Sequence, residues 1–288
     1  MKRRQSKPER IVRRLANRYV VHNVGLESAA LAFYLVFAIF PFLILLSVLM
    51  GFFQLDLQDA LASLANLLPS EVVSILKSFL RYAAGRPSAQ LLASTVAISI
   101  YFPMRATNSL MFSVRKAYHL GSPRGVIIQT VKNLIYTLVL IVTVVLSAAL
   151  MTVSDRLLAL AVEYFRLPEF VARLWTALRF PVTAVVAYFA LYFLYALAQD
   201  SRQGWQNLWP GTMAALGGWM AASWCYAFYV NHIAHYSLLY GSIGTIIVLL
   251  IWLNLTSMVL ILGAELNGVL MSLRADGADK TDEPEADS

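Results

Sequence analysis

The sequence predicts an all-α, polytopic membrane protein with six transmembrane helices and amphipathic interfacial helices in its outer loops. Three observations lead there. The 288 residues are 59% hydrophobic and only 14% charged, with mean hydropathy +0.65, a balance outside that of ordinary soluble domains. Six apolar runs are each long enough to cross the roughly 30 Å hydrocarbon core of a bilayer. The basic residues behind the net charge of +7 gather at the ends of those runs and in the N-terminal tail, which fits the positive-inside rule better than a nucleic-acid surface.

The chain divides into a basic cytoplasmic amphipathic segment (1–26), a six-helix membrane domain (27–273) and an acidic, disordered tail (274–288). In the first part, Ile11, Val12, Leu15 and Tyr19 recur at helical spacing between arginines, so Pro8 to Asn23 reads as a helix lying on an anionic membrane face. The first span covers Ser28 to Phe53, with Glu27 and Tyr34 on the same side as Pro41, whose missing N–H allows a kink at mid-membrane. Residues 54–90 are too polar to span; Leu55 to Leu68 and Val72 to Ala84 read as amphipathic helices at the outer surface.

The second span, Leu91 to Val114, carries a second kink candidate, Pro103, with Arg105 and Asn108. The third, Val126 to Val153, opens with Lys132 and Asn133. Arg105 and Lys132 have two readings: both snorkel to the inner headgroups, or they form a cationic site for a phosphate or carboxylate, paired with Glu27 or Glu265. Residues 154–179 read as another amphipathic outer stretch, and the fourth span runs from Phe180 to Ala198. In the fifth, Leu208 to Val230, the small residues Gly211, Ala215, Gly218 and Ala222 form a stripe on which another helix can pack closely.

The sixth run, Ile243 to Leu270, places Asn254, Glu265 and Gly268 within a sector of about 60° on one helix face. That face cannot meet lipid. A carboxylate inside hydrocarbon needs a partner, a proton or water, so Glu265 is a functional candidate; the alternative places it near the inner surface, reaching water or capping a neighbouring helix. Six spans put both termini on one side, and the charge bias makes that side cytoplasmic.

Several chemistries lack their residues. Of the four histidines, His22, His119, His232 and His235, the last two could share a helix face, but no carboxylate or cysteine stands near them and two ligands do not make a metal site, so no metal is expected. Walker, GxGxxG and Gly-x-Ser-x-Gly motifs are missing from the sequence, so no cofactor and no enzymatic activity are expected. The acidic residues are too scattered for a metal-dependent nuclease site.

Other residues carry a resemblance. Ser28-Ala-Ala-Leu-Ala-Phe-Tyr34 with Phe40-Pro41, Pro210-Gly211 with Trp219, and Tyr240-Gly-Ser-Ile-Gly244 with Trp252 resemble the YihY/BrkB family of bacterial inner-membrane proteins, once labelled ribonuclease BN. The match closes on Gly263-Ala-Glu265-Leu-Asn267 and covers about residues 10 to 272. Asn254 and Arg115 depart from the family's commoner residues. The resemblance implies a six-helix inner-membrane protein concerned with envelope integrity and with export of lipid or lipopolysaccharide precursors, and it implies that the ribonuclease label is misplaced.

Two functions follow as expectations. In the first, the protein is a transporter or flippase-like exporter of an anionic lipid or envelope precursor, with Arg105, Lys132, Asn108, Glu27, Asn254, Glu265 and Asn267 as substrate-binding residues. Its partners are then membrane lipids, not nucleic acid. In the second it is a non-enzymatic scaffold, with the Gly/Ala stripe of the fifth span as a homo-oligomer interface.

Overall fold

A computed structural model describes residues 7–52, 70–84, 89–121, 125–165, 169–199, 208–232 and 242–279, and within them every regular element is an α-helix. Helix α1 (Lys7–Val21) and α2 (Val24–Phe52) are joined by a two-residue turn, in which Asn23 takes a left-handed conformation (φ 53°). Asparagine tolerates that geometry better than most side chains. Then come α3 (Ser70–Ala84), α4 (Ala89–Ala117), α5 (Val126–Phe165), α6 (Glu169–Leu197), α7 (Trp209–His232) and α8 (Ser242–Asp279).

Helix α8 is central. It packs against α7, α2, α4, α3 and α1, while α2 packs on α4, and α5 and α6 pair at the side. Apolar stretches long enough to cross a bilayer lie at Val24–Leu43, Ile127–Ser147, Phe180–Leu197 and Ile243–Ala275. Phe33, Phe112, Val142 and Phe189 turn outward from the bundle, as apolar side chains do when the solvent is lipid. The chain is therefore a membrane protein with at least four apolar spanning stretches. Helices α4 and α7, 29 and 24 residues long, pack among them but are more polar, carrying Arg105 and Asn108 in one case and a run of small residues in the other.

Three points refine the sequence reading. The amphipathic stretch expected after the third span does not form separate helices: α5 continues to Phe165, and α6 begins at Glu169, so those stripes extend the helices beyond the apolar stretches that end at Ser147 and begin at Phe180. A helix that has paid its nucleation cost adds one hydrogen bond for each further residue, which favours continuing it over starting another. Second, α3 is held against the bundle by Val72, Val73 and Leu76, all buried. Third, α8 runs on to Asp279, past the start expected for a disordered tail at 274, and the expected division at residue 26 falls inside α2. The stretch expected as amphipathic at 55–68 and the tail from 280 onward lie outside the described residues.

Candidate functional site

At the end of the bundle where α1 meets α8, the chain buries an ionic cluster. Arg18 and His22 are one turn apart on α1 and its following turn, in phase with Ile11 and Leu15, so the face that docks carries both polar groups. Glu265, only 1% exposed, receives a hydrogen bond from His22 Nδ1 to Oε1 at 2.5 Å and one from Arg18 Nη1 to Oε2 at 3.4 Å. A carboxylate can only accept, so Nδ1 of His22 carries the proton. Arg18 also donates to the Ala117 carbonyl (2.9 Å) and to Nε2 of His119 (2.9 Å).

His119 is placed by the end of α4. Leu120 N–H bonds back to the Arg115 carbonyl and His119 N–H to that of Lys116, the paired bonds of a Schellman turn. The left-handed position at its centre, normally glycine, is here His119 itself (φ 54°). Lys116 ties the same corner, donating to Glu27 Oε1 and to the His22 carbonyl, both at 2.6 Å. Burial, then Arg18, then His22 lower the His119 pKa below its ordinary 6.5, against an opposing pull from Glu265.

Two residues beyond Glu265, Asn267 joins α8 to the start of α7. Its Oδ1 accepts from Gly211 N–H (2.7 Å), one of the first N–H groups of a helix and so without a partner inside it. Its Nδ2 donates to the Leu208 carbonyl (2.9 Å) and to Tyr118 Oη (3.4 Å). The small residues of α7 make this approach possible. A Cβ on Gly211 would collide with the Gly263 carbonyl and with Asn267, Ala215 lies against Gly263, and Gly218 faces Val259.

A second polar group lies between α4 and α5. Asn108 Oδ1 accepts from Asn133 Nδ2 (2.7 Å) and Gln129 Nε2 (3.1 Å), and below them Thr137 Oγ1 contacts Thr107 Oγ1 (3.2 Å) and bonds the Asn133 carbonyl (2.7 Å). These amides border a cleft of about 290 Å³ with Met104, Arg105 and Thr130 at its rim. Arg105 is exposed, and its side chain folds back onto Tyr101, with Nε 3.3 Å from the phenol oxygen and the guanidinium 5.6 Å from the ring centre. An apolar cavity of about 190 Å³ opens from the same helix pair, lined by Pro103, Leu110, Tyr136 and Leu140 together with Leu31 and Leu253.

Comparison with known proteins places the chain in a family. Residues 15–288 match the family described as Virulence factor BrkB. The chain belongs to that family. Among its relatives, the ribonuclease-like protein YfkH of Bacillus subtilis is 28% identical over 259 residues, 90% of this chain and 94% of the relative. A UPF0761 membrane protein of Verminephrobacter eiseniae is 25% identical over 91% of this chain and 62% of its own length. Smlt0865, a UPF0761 membrane protein of Stenotrophomonas maltophilia, is 24% identical over 90% of this chain and 60% of its own. The chain thus spans nearly all of the Bacillus relative but only about three-fifths of these two UPF0761 proteins. No solved structure matches.

In this BrkB-family chain the residues singled out from sequence do not form one site. Arg105 and Asn108 share the α4/α5 cleft, with Lys132 half-buried beside Asn133 but not lining it. The pairing of Arg105 and Lys132 with Glu27 or Glu265 is overturned: Glu27 is bound to Lys116, and Glu265 to Arg18 and His22. The reason is position, because both carboxylates sit at the level where α4 ends, whereas Arg105 lies twelve residues, about 18 Å, back along that helix. Asn254 is separate again, its Oδ1 buried on α8 without a hydrogen-bond partner. The α7 stripe expected as an oligomer interface is occupied by α8 of the same chain.

Residues that the sequence reading did not select are Arg18, His22, Lys116, Gln129 and the functional pairing of Asn133. A signal existed for most of them. Arg18 and His22 stand at positions in phase with an apolar face, and Gln129, Asn133 and Thr137 form a polar stripe at four-residue spacing along an otherwise apolar span.

Proposed function

We propose that this protein is an inner-membrane transporter or flippase-like exporter of an anionic, amphipathic envelope molecule, without enzymatic activity of its own. It has six spans, α2 and α4 to α8, and both termini are cytoplasmic. The observation that carries this reading is Arg105. It is exposed near the middle of α4, and among the described residues its side chain bonds and stacks on Tyr101 and no carboxylate pairs with it. An arginine at that depth is costly unless an anion or water meets it. The polar cleft beside Arg105 suits a headgroup, and the apolar cavity on the same helix pair suits part of a chain.

The ionic cluster at Glu265 has a different part, holding α1 onto the bundle rather than touching the transported molecule. A scaffold acting through self-association has less in its favour, because the stripe that would mediate it is already packed. The test is lipid flux in proteoliposomes: a fluorescent anionic lipid analogue, an external quencher, and wild type beside Arg105→Ala of equal thermal stability. Protein-dependent flux that Arg105→Ala largely removes is the expected result. Flux equal to that of protein-free vesicles, or unchanged by the substitution, overturns the proposal.

A further inference from the structure

Resting on the reading that the α4/α5 cleft receives a headgroup, we infer that it selects a phosphodiester headgroup that also carries hydrogen-bond donors, a hydroxyl or a primary ammonium. Glycerol phospholipids, which are anionic, have that chemistry; ethanolamine phospholipids carry the same phosphate and donors without the net charge, and choline phospholipids, whose nitrogen is fully methylated, lack the donors.

The inference comes from how the three amides divide their hydrogen bonds. Asn108 spends one oxygen on two donors, Asn133 Nδ2 and Gln129 Nε2, and so fixes the direction of both neighbouring amides. Their own oxygens, Asn133 Oδ1 and Gln129 Oε1, are then buried without a hydrogen-bond partner. Asn133 is 5% exposed and lies on the wall of the cleft, its side chain fixed by the bond to Asn108. Buried acceptors are normally paired, and two side by side in a cleft call for a ligand that brings donors. Arg105 at the rim calls for an anion. One ligand answers both demands if its phosphate meets Arg105 and its hydroxyl or ammonium group reaches inward to the two oxygens. The cleft, at about 290 Å³, equals some ten water volumes of about 30 Å³, room for a phosphate and a short alcohol.

The orientation of the amides is what the test must probe. If all three were reversed, both bonds to Asn108 would survive with the donor and acceptor exchanged, and the cleft would present N–H groups instead. A headgroup donor would then bring no advantage.

The experiment uses full-length protein stripped of lipid in detergent, and measures binding of tail-labelled phosphatidylethanolamine, phosphatidylglycerol and phosphatidylcholine with a common acyl composition. Wild type should bind the first two about tenfold more tightly than the third, the scale of one or two hydrogen bonds to a charged or polar group. Gln129→Met and Asn133→Ala should each shrink that preference, and Arg105→Gln should weaken all three. Either amide variant suffices if the other fails to fold. Equal wild-type binding of ethanolamine and choline lipids, with Arg105→Gln still weakening both, overturns the donor requirement and leaves the headgroup reading standing. Binding of all three that is indifferent to Arg105→Gln overturns the headgroup reading itself.

Discussion

Replacing Glu265 by glutamine should release α1 from the bundle without unfolding the rest. At 3.4 Å from Arg18, with an effective dielectric constant near 20, the gross attraction is about 5 kcal/mol. Removing one partner of a buried pair costs about 3–5 kcal/mol, because the other charge is left uncompensated. Glutamine retains one acceptor for His22 or Arg18, worth about 1 kcal/mol. The difference is about 3 kcal/mol, a factor of about 150 in the equilibrium between docked and undocked α1. The loss should concentrate on α1 because its neighbours are few, α8, α2 and the end of α4, and its deepest anchors are Arg18 and His22. Hydrogen exchange by mass spectrometry, in nanodiscs, reads this directly: α1 amides should lose protection by about two orders of magnitude while α2 and α8 change little. The paired replacement Arg18→Met with Glu265→Met should recover part of the loss, since it strands no arginine or carboxylate charge but leaves the His22 N–H and the Ala117 carbonyl without these partners. Exchange of α1 in Glu265→Gln within about threefold of wild type, less than 1 kcal/mol, would refute the claim that this cluster holds the helix.

Further outcomes follow from the same geometry. Gly211→Val should destabilise the protein by about 1–3 kcal/mol or more through the clash with Gly263 and Asn267, whereas Gly217→Ala, with nothing within 4 Å of the new methyl, should be neutral; thermal unfolding in detergent compares them. Asn267→Ala should cost about 1–3 kcal/mol by stranding the Gly211 N–H, seen as a lower unfolding temperature. His119 gives a pH dependence: with its pKa held below 6.5 in the folded chain, the undocked state binds more protons between that lower value and 6.5. Docking of α1 is thus complete above about pH 6.5 and weakens as pH falls through the folded value, where protonation removes the nitrogen that accepts from Arg18. Exchange of α1 amides, compared between pH 7.5 and 5.5 after correction for intrinsic rates, should show the loss, and His119→Asn, which keeps the left-handed turn, should flatten it.

Much of the fold was legible because its causes are local. Hydrophobic runs of bilayer length mark spans whatever their neighbours, and a helical period of 3.6 residues turns spacing into a face, so the polar side of α8 could be placed toward protein before any partner was known. Stripes of small residues mark close approach in the same way, although not what approaches: the α7 stripe meets α8 of its own chain rather than a second copy. The helix ends were less legible. Polar, amphipathic sequence at 154–165 and 169–179 lies beyond the apolar stretches and reads as separate short elements, yet backbone hydrogen bonding makes it part of the same long helices.

The sequence by itself determined the helical class, the membrane setting, the candidate status of Glu265, Arg105 and Asn108, and the family resemblance. Only the tertiary structure decided which charge meets which. Glu265 and Arg18 are 247 positions apart and Lys116 and Glu27 89 apart, and no period or propensity reaches across such distances. Arginines in the N-terminal tail look alike in sequence; docking α1 on α8 gives Arg18 a buried carboxylate and leaves Arg10 and Arg13 at the surface. The division of labour has one physical source: helix formation is governed by neighbours in the chain, whereas the pairing of buried charges is governed by which helix ends the packing brings to the same level.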